Sequence, residues 1–299
     1  MNMDVVGAKS EPVTEIGMIA LADGISVRRM VAQPESPKGT VILLHGFPET
    51  LYAWRGIARA LADEYEVHTF DWPGYGLSTR PSPDAFSYAP SNYANLLRQY
   101  ISAAGIDRSN LTIYATDISG LPTLLLALQE PDIARKIIVG DFAPFNRPDL
   151  MHPDLRDLKV KPLSEQIRET WNAAWNDLVE ARGFGAGLPP EAQFDVAREF
   201  KDDMAQSWKH SDLTTMDAFY HYYSYFTRDE DYFEQRVGGF SAPVKVVWGE
   251  LDPYIDKAMG VELAERLGAE FKLLPGIGHY PHNQAPEQVV AEIRDSFLP

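Results

Sequence analysis

Apolar residues recur along this chain in two rhythms, and their alternation predicts an α/β fold. Short strand-like runs stand at residues 17–22, 25–31, 40–44, 67–70, 111–115, 136–139, 244–248 and 271–274. The first two are separated by Ala22-Asp23-Gly24, a hairpin turn signal. Residues 40–44 are an unbroken run, as expected of a strand buried on both faces. Helical periodicity occupies 54–63, 93–104, 120–129, 256–267 and 286–297. Strand followed by helix, repeatedly, argues a mostly parallel central sheet flanked by helices. One long stretch departs from this rhythm. Residues 145–240 hold no convincing strand, only helical patterns at 163–181, 190–208 and 214–226, with a Gly-rich segment at 183–190. The expected organisation is a core built from 1–144 and 241–299, interrupted by a helical cap at 145–240.

Composition narrows the partners more than the chemistry. The 299 residues carry 43 acidic and 27 basic side chains, a formal charge of −16, which disfavours nucleic acid and anionic membrane surfaces. No apolar run approaches the ~20 residues of a membrane span. Asp4, Lys9 and Glu11 leave residues 1–12 without the apolar segment of a signal peptide, so a cytoplasmic setting is expected. The chain has no cysteine, which excludes disulfides, thiolate metal sites and a thiol nucleophile. Neither a P-loop nor a dinucleotide glycine fingerprint is present, and no cofactor or metal is expected.

The chemistry concentrates where the strand 111–115 gives way to the helix from 120. A strand, a tight turn and a helix form the setting of a nucleophile elbow, which needs small residues two before and two after the nucleophile. Asp117 satisfies this with Ala115 and Ser119, whereas Ser119 fails on Leu121 and Thr116 fails on Tyr114 and Ile118. The competing role for Asp117 is a helix N-cap. His45-Gly46-Phe47-Pro48 follows a buried strand and can aim the Phe47 N–H at the elbow, beside that of Ile118, as an oxyanion hole. His45 itself reads as structural. The segment from Asp71 through Trp-Pro-Gly-Tyr-Gly-Leu to Ser78 reads as a fixed turn without chemistry. His279, on a Gly-flanked loop after the last strand, is placed to act as a base, with His282 a weaker competitor. Asp252 or Asp141, each just past a strand, could orient His279 by accepting its Nδ1–H; Asp252 is preferred and Asp141 stays open.

A carboxylate nucleophile selects its electrophile. Attack on an ester carbonyl would give an anhydride, whereas attack on an sp³ carbon gives a stable alkyl ester. Epoxide opening and halide displacement are therefore the expected reactions, each followed by hydrolysis of the ester by a His279-activated water. An epoxide needs a proton donor for its alkoxide, and the aromatic run 219–226 supplies tyrosines. Halide release wants N–H donors, for which Trp171 and Trp175 are available, although their four-residue spacing also suits core packing. A haloacid would further want an arginine, and none is evident near the elbow.

Taken together, these motifs over nearly the whole chain resemble the α/β-hydrolase superfamily, in its epoxide hydrolase and haloalkane dehalogenase branch. His45-Gly-Phe-Pro-Glu49 looks most like the epoxide hydrolases, and Asp141-x-Ala-Pro resembles bacterial members in which that carboxylate is the acid. By position before Pro243, Tyr222-Tyr223 resembles the family's cap tyrosine motif; Tyr223, then Tyr222, is the implied acid. The branch usually has Gly-His-Asp-x-Gly-Gly at the elbow, where this chain has Ala115-Thr-Asp-Ile-Ser-Gly120, and a second cap donor remains open among His152, Trp171 and Trp175. The resemblance implies an epoxide hydrolase forming vicinal diols. The alternatives are a hydrolytic dehalogenase of haloalkanes or haloacids, and a non-catalytic ligand-binding member. The implied partners are a small apolar electrophile and water, with a second copy of the chain as a further partner for an apolar cap face.

Overall fold

The computed structural model describes residues 13–298; the segment read as lacking a signal peptide lies outside the described residues. Eight strands form one sheet: β1 (Val13–Ala20), β2 (Ser26–Gln33), β3 (Thr40–Leu44), β4 (Glu66–Phe70), β5 (Leu111–Thr116), β6 (Lys136–Gly140), β7 (Val244–Gly249) and β8 (Glu270–Leu274). Their order is β1-β2-β4-β3-β5-β6-β7-β8. The β1–β2 hairpin pairs Ala20 with Ser26 across a turn in which Asp23 and Gly24 both have positive φ, as a tight reversal requires. From β4 to β8 every pairing is parallel. All five residues of β3 and all six of β5 are buried, as expected of strands covered by helices on both faces.

Strand order reverses direction around β3, which lies between β4 and β5. At such a switch point the loops leaving adjacent strands part company, opening a crevice at the carboxyl ends. The loops that start at His45 and Asp117 leave β3 and β5 here. Residues Leu44 and Ala115 are register partners, so the two loops begin side by side.

Between β6 and β7 the described chain is helical apart from turns and one isolated bridge, Met151 to Ile255. The helix expected over 163–181 breaks at Ala174 into Leu163–Ala173 and Trp175–Val179. That over 190–208 is helical only at Arg198–Trp208, after a single turn at Pro190–Ala192. The third runs on well past Phe226, as Thr215–Glu234. Thr214 starts it with a capping box, its hydroxyl accepting from the Asp217 N–H while Asp217 accepts from the Thr214 N–H. Its polar second half stays helical because Phe226, Glu230 and Phe233 continue one buried stripe. Glu230 is tolerated there because Lys159 donates to both its oxygens, at 2.9 and 2.7 Å.

The helical segment between β6 and β7 is tied to the sheet through buried charge. Arg28 on β2 donates both terminal nitrogens to Asp203, at 2.8 and 2.7 Å, while its Nε donates to Asp71. Asp71 also accepts from the Leu51 and Leu77 N–H groups, and a Cβ at Gly76 would fall 1.9 Å from the Asp71 carboxyl. The turn from Asp71 to Ser78 thus wraps a carboxylate, and Gly76 is required by that close approach. Among the described residues no helix is long and apolar enough to cross a membrane.

Candidate active site

Asp117 sits at the switch point with φ of 52°, a left-handed conformation that costs a non-glycine residue energy and clusters at functional sites. The strand-to-helix turn forces it. A single 3-10 turn, Asp117–Ser119, carries β5 directly into the helix Gly120–Gln129. Opposite, a Cβ on Gly46 would lie 2.6 Å from the Asp117 Cβ, so only glycine admits this approach. Ser119, the small residue after the elbow, donates to the His45 carbonyl and accepts from the Trp72 indole N–H, locking the two loops together.

Each oxygen of Asp117 has its own partner. Oδ1 accepts from the Phe47 N–H at 2.6 Å, and Oδ2 lies 3.2 Å from His279 Nε2. The far nitrogen of the ring, Nδ1, lies 2.8 Å from Asp252 Oδ2. Asp252 Oδ1 is held in turn by the N–H groups of Tyr254 and Ile255. Burial alone would lower the His279 pKa, but the adjoining Asp252 and Asp117 outweigh it and raise the ring well above its usual value. Asp141, the alternative partner for Nδ1, does not hydrogen-bond to the His279 ring. Its Oδ1 instead accepts from the Gly249 N–H at 2.8 Å, and burial followed by the neighbouring Asp252 charge raises its carboxyl well above the usual range. A carboxyl that burial pushes toward its neutral form is poorly suited to hold an imidazolium.

The peptide that presents the Phe47 N–H is fixed at every polar atom. The Trp72 N–H donates to His45 Nε2 at 3.2 Å, which leaves the ring proton on Nδ1; Nδ1 then donates to the Gly46 carbonyl at 2.8 Å. Full burial lowers the His45 pKa and keeps the ring neutral. The Glu49 N–H donates to the same carbonyl, and Glu49 Oε2 accepts from the Gly46 N–H at 3.0 Å. His282 Nε2 and Asn283 Nδ2 donate to Glu49 Oε1 at 2.8 and 2.9 Å, and the His282 ring stacks on Trp54. Burial would raise the Glu49 pKa, yet His282 and these N–H groups hold it below its usual value. His282 is thus engaged away from Asp117, and Glu49, quoted in the sequence only as the end of the His45–Glu49 motif, is the acceptor that joins His282 and Asn283 to the Gly46 N–H. The Ile118 N–H opens the 3-10 turn, where first-turn donors lack an intrahelical partner.

Above Asp117 lies a cavity of about 310 Å³. Phe47, Trp171, Phe184, Phe219, Tyr254 and Tyr280 stand in its wall, with Asp117 and His279 also in its lining. Trp175 does not reach it; its ring packs 3.8 Å from Lys209 Nζ. Neither Tyr222 nor Tyr223 is in the lining. The Tyr222 hydroxyl donates to the Ile118 carbonyl at 3.1 Å. Tyr223 is buried beside Phe219, and burial, then the Asp117 charge, raises its hydroxyl pKa and keeps it a proton donor. His152 does line the cavity, its Nδ1 accepting from the Asp154 N–H at 3.3 Å.

A family model described as the alpha/beta hydrolase fold matches residues 39–286. The chain belongs to this family. Among relatives of this α/β hydrolase, epoxide hydrolase 1 of Caenorhabditis elegans is 22% identical over 270 residues, covering 86% of this chain and 64% of that protein. A fluoroacetate dehalogenase of Burkholderia sp is 35% identical over 106 residues, 35% of this chain and 34% of its own length. The chain therefore spans less than two thirds of each of these curated relatives. The solved structure of the epoxide hydrolase CorEH superposes with a TM-score of 0.78 at 17% identity, covering 95% of this chain and 99% of that one. That likeness is one of fold.

Proposed function

We propose that this α/β hydrolase opens epoxides to vicinal diols through an alkyl ester on Asp117. The observation that carries the reading is the division of labour at Asp117: one oxygen on the Phe47 N–H, the other facing His279, at the floor of an apolar cavity. Oδ2 attacks an epoxide carbon, the ring C–O bond breaks, and the alkoxide takes a proton. Tyr223 is the proposed donor: burial, then the Asp117 charge, keeps its hydroxyl protonated, and its ring, packed on Phe219 outside the cavity lining, has to turn the hydroxyl inward to deliver the proton. Oδ1 then becomes the ester carbonyl oxygen, already on the Phe47 N–H. Esterification removes the Asp117 charge, which relaxes the raised pKa of His279 and lets the ring act as base. His279 takes a proton from water, the hydroxide adds to Asp117 Cγ, and the oxyanion is stabilised by the N–H groups of Phe47 and Ile118. Collapse breaks the bond from Asp117 Cγ to the alkyl oxygen; the departing alkoxide takes the proton from His279 and leaves as the diol, and the proton left on the Asp117 carboxyl returns to the Tyr223 phenolate, restoring the carboxylate. Asp252 orients and stabilises the imidazolium.

Halide displacement by the same carboxylate is the second reading, favoured by Trp171, whose indole lies in the cavity wall. Trapping the ester in His279→Gln separates the two, since an epoxide adds its whole mass to Asp117 whereas a haloalkane adds only its alkyl group and frees halide.

A further inference from the structure

The walls and rim of the cavity carry more than a generic apolar pocket requires. Phe47, Phe219 and Trp171 are mutually near-parallel, with interplanar angles of 18°, 28° and 13°. Phe184 and Tyr280 form a second parallel stack, 4.0 Å apart at 7°. The Tyr280 and Tyr254 hydroxyls are already spent on the Phe47 and Gly183 carbonyls. What these groups offer a ligand is ring surface, and flat aromatic groups match such surface in offset or edge-on contact. Near 310 Å³, the space is at the small end for ligand pockets.

The charge pattern is one-sided. None of the residues lining the cavity is lysine or arginine, and Asp154, with a side chain 45% exposed, adds a carboxylate at the rim to that of Asp117 at the floor. The His279 ring in the lining is already held between Asp117 and Asp252, so a substrate carboxylate entering here would be desolvated against a net negative floor and would face Asp154 at the rim.

We infer that the site selects small, uncharged, aryl-substituted epoxides and turns away their carboxylate-bearing counterparts, haloacids included. The choice of electrophile rests on the Asp117 reading; the choice of shape and charge rests on the cavity. Styrene oxide should exceed 1,2-epoxyoctane, which has the same number of carbons, by about tenfold in kcat/KM. The neutral 3-phenylglycidamide should exceed 3-phenylglycidate by a similar factor, on the order of tenfold. Asp154→Asn should narrow the second ratio, and Phe219→Leu should lower the first. Calorimetry with the unreactive pair cinnamamide and cinnamate tests the charge claim without turnover, the amide binding about tenfold more tightly. Epoxyoctane matching styrene oxide, or cinnamate binding as well as cinnamamide, overturns the inference while leaving the ester chemistry standing. If no epoxide reacts and no ester forms, yet cinnamamide still binds better than cinnamate, the cavity preference holds and the ester chemistry falls.

Discussion

Replacing Glu49 with glutamine tests whether the buried network behind Phe47 positions an oxyanion donor. In the native protein one carboxylate accepts on Oε2 from Gly46 and on Oε1 from His282 and Asn283. A glutamine amide turns one acceptor oxygen into a donor, so either the Gly46 N–H or the His282–Asn283 pair loses its partner. One orphaned buried donor costs about 1–3 kcal/mol, and urea denaturation should show a stability loss of that size. The kinetic effect should be uneven. Complete loss of an oxyanion donor costs about 10²–10³ in rate, so a loosened one should slow ester hydrolysis roughly 10- to 100-fold. Alkylation consumes charge on Asp117 Oδ1 and gains nothing from the Phe47 N–H, so it should change less than about threefold. Rapid-quench mass spectrometry over a single turnover reads both steps, and the ester should accumulate in the variant. Equal slowing of the two steps, or slowing of alkylation alone, would refute the positioning role; a stability loss with unchanged hydrolysis would reduce Glu49 to packing.

The remaining predictions concern the His279 neighbourhood. Asp117→Asn removes one of the two charges that raise the His279 pKa, so the imidazole should titrate at lower pH, as followed by NMR; an unchanged or higher midpoint would contradict the coupling. With that pKa raised in the fold, its contribution to stability is full below about pH 6.5 and is lost as pH rises through the folded value, so the native protein should lose more stability across that window than Asp117→Asn. Asp252→Asn should cost on the order of 10³-fold in turnover by disturbing the tautomer and orientation of His279. Asp141→Asn should be mild, because an amide oxygen can accept the same Gly249 N–H and burial already opposes charge on this carboxyl; the reverse ranking would make Asp141 the acid.

What was legible in the sequence followed from local constraints. Strand runs and the break in their rhythm across 145–240 predicted a sheet whose β6 and β7 are separated by helices, because burial on both faces demands unbroken apolar runs. The small-residue test at the elbow found Asp117 because a turn this tight excludes bulk on either side of it, and the structure shows the same crowding at Gly46. Less legible were features that depend on contacts far apart in sequence. Asp141 and Asp252 both follow strands on one side of the sheet, and only the fold shows which carboxylate meets Nδ1 of His279. Glu49 and His282 are 233 residues apart, and no spacing rule joins them. The helices between β6 and β7 misled in their lengths, since a polar stretch such as 227–234 stays helical when buried charges find partners such as Lys159.

The central claim is a covalent bond between substrate carbon and Asp117. Folded His279→Gln, which retains the nucleophile but lacks the base, should gain the full mass of styrene oxide, and peptide mapping should place that mass on Asp117. A folded variant that gains no mass from the epoxide, or gains it at another residue, would contradict the account.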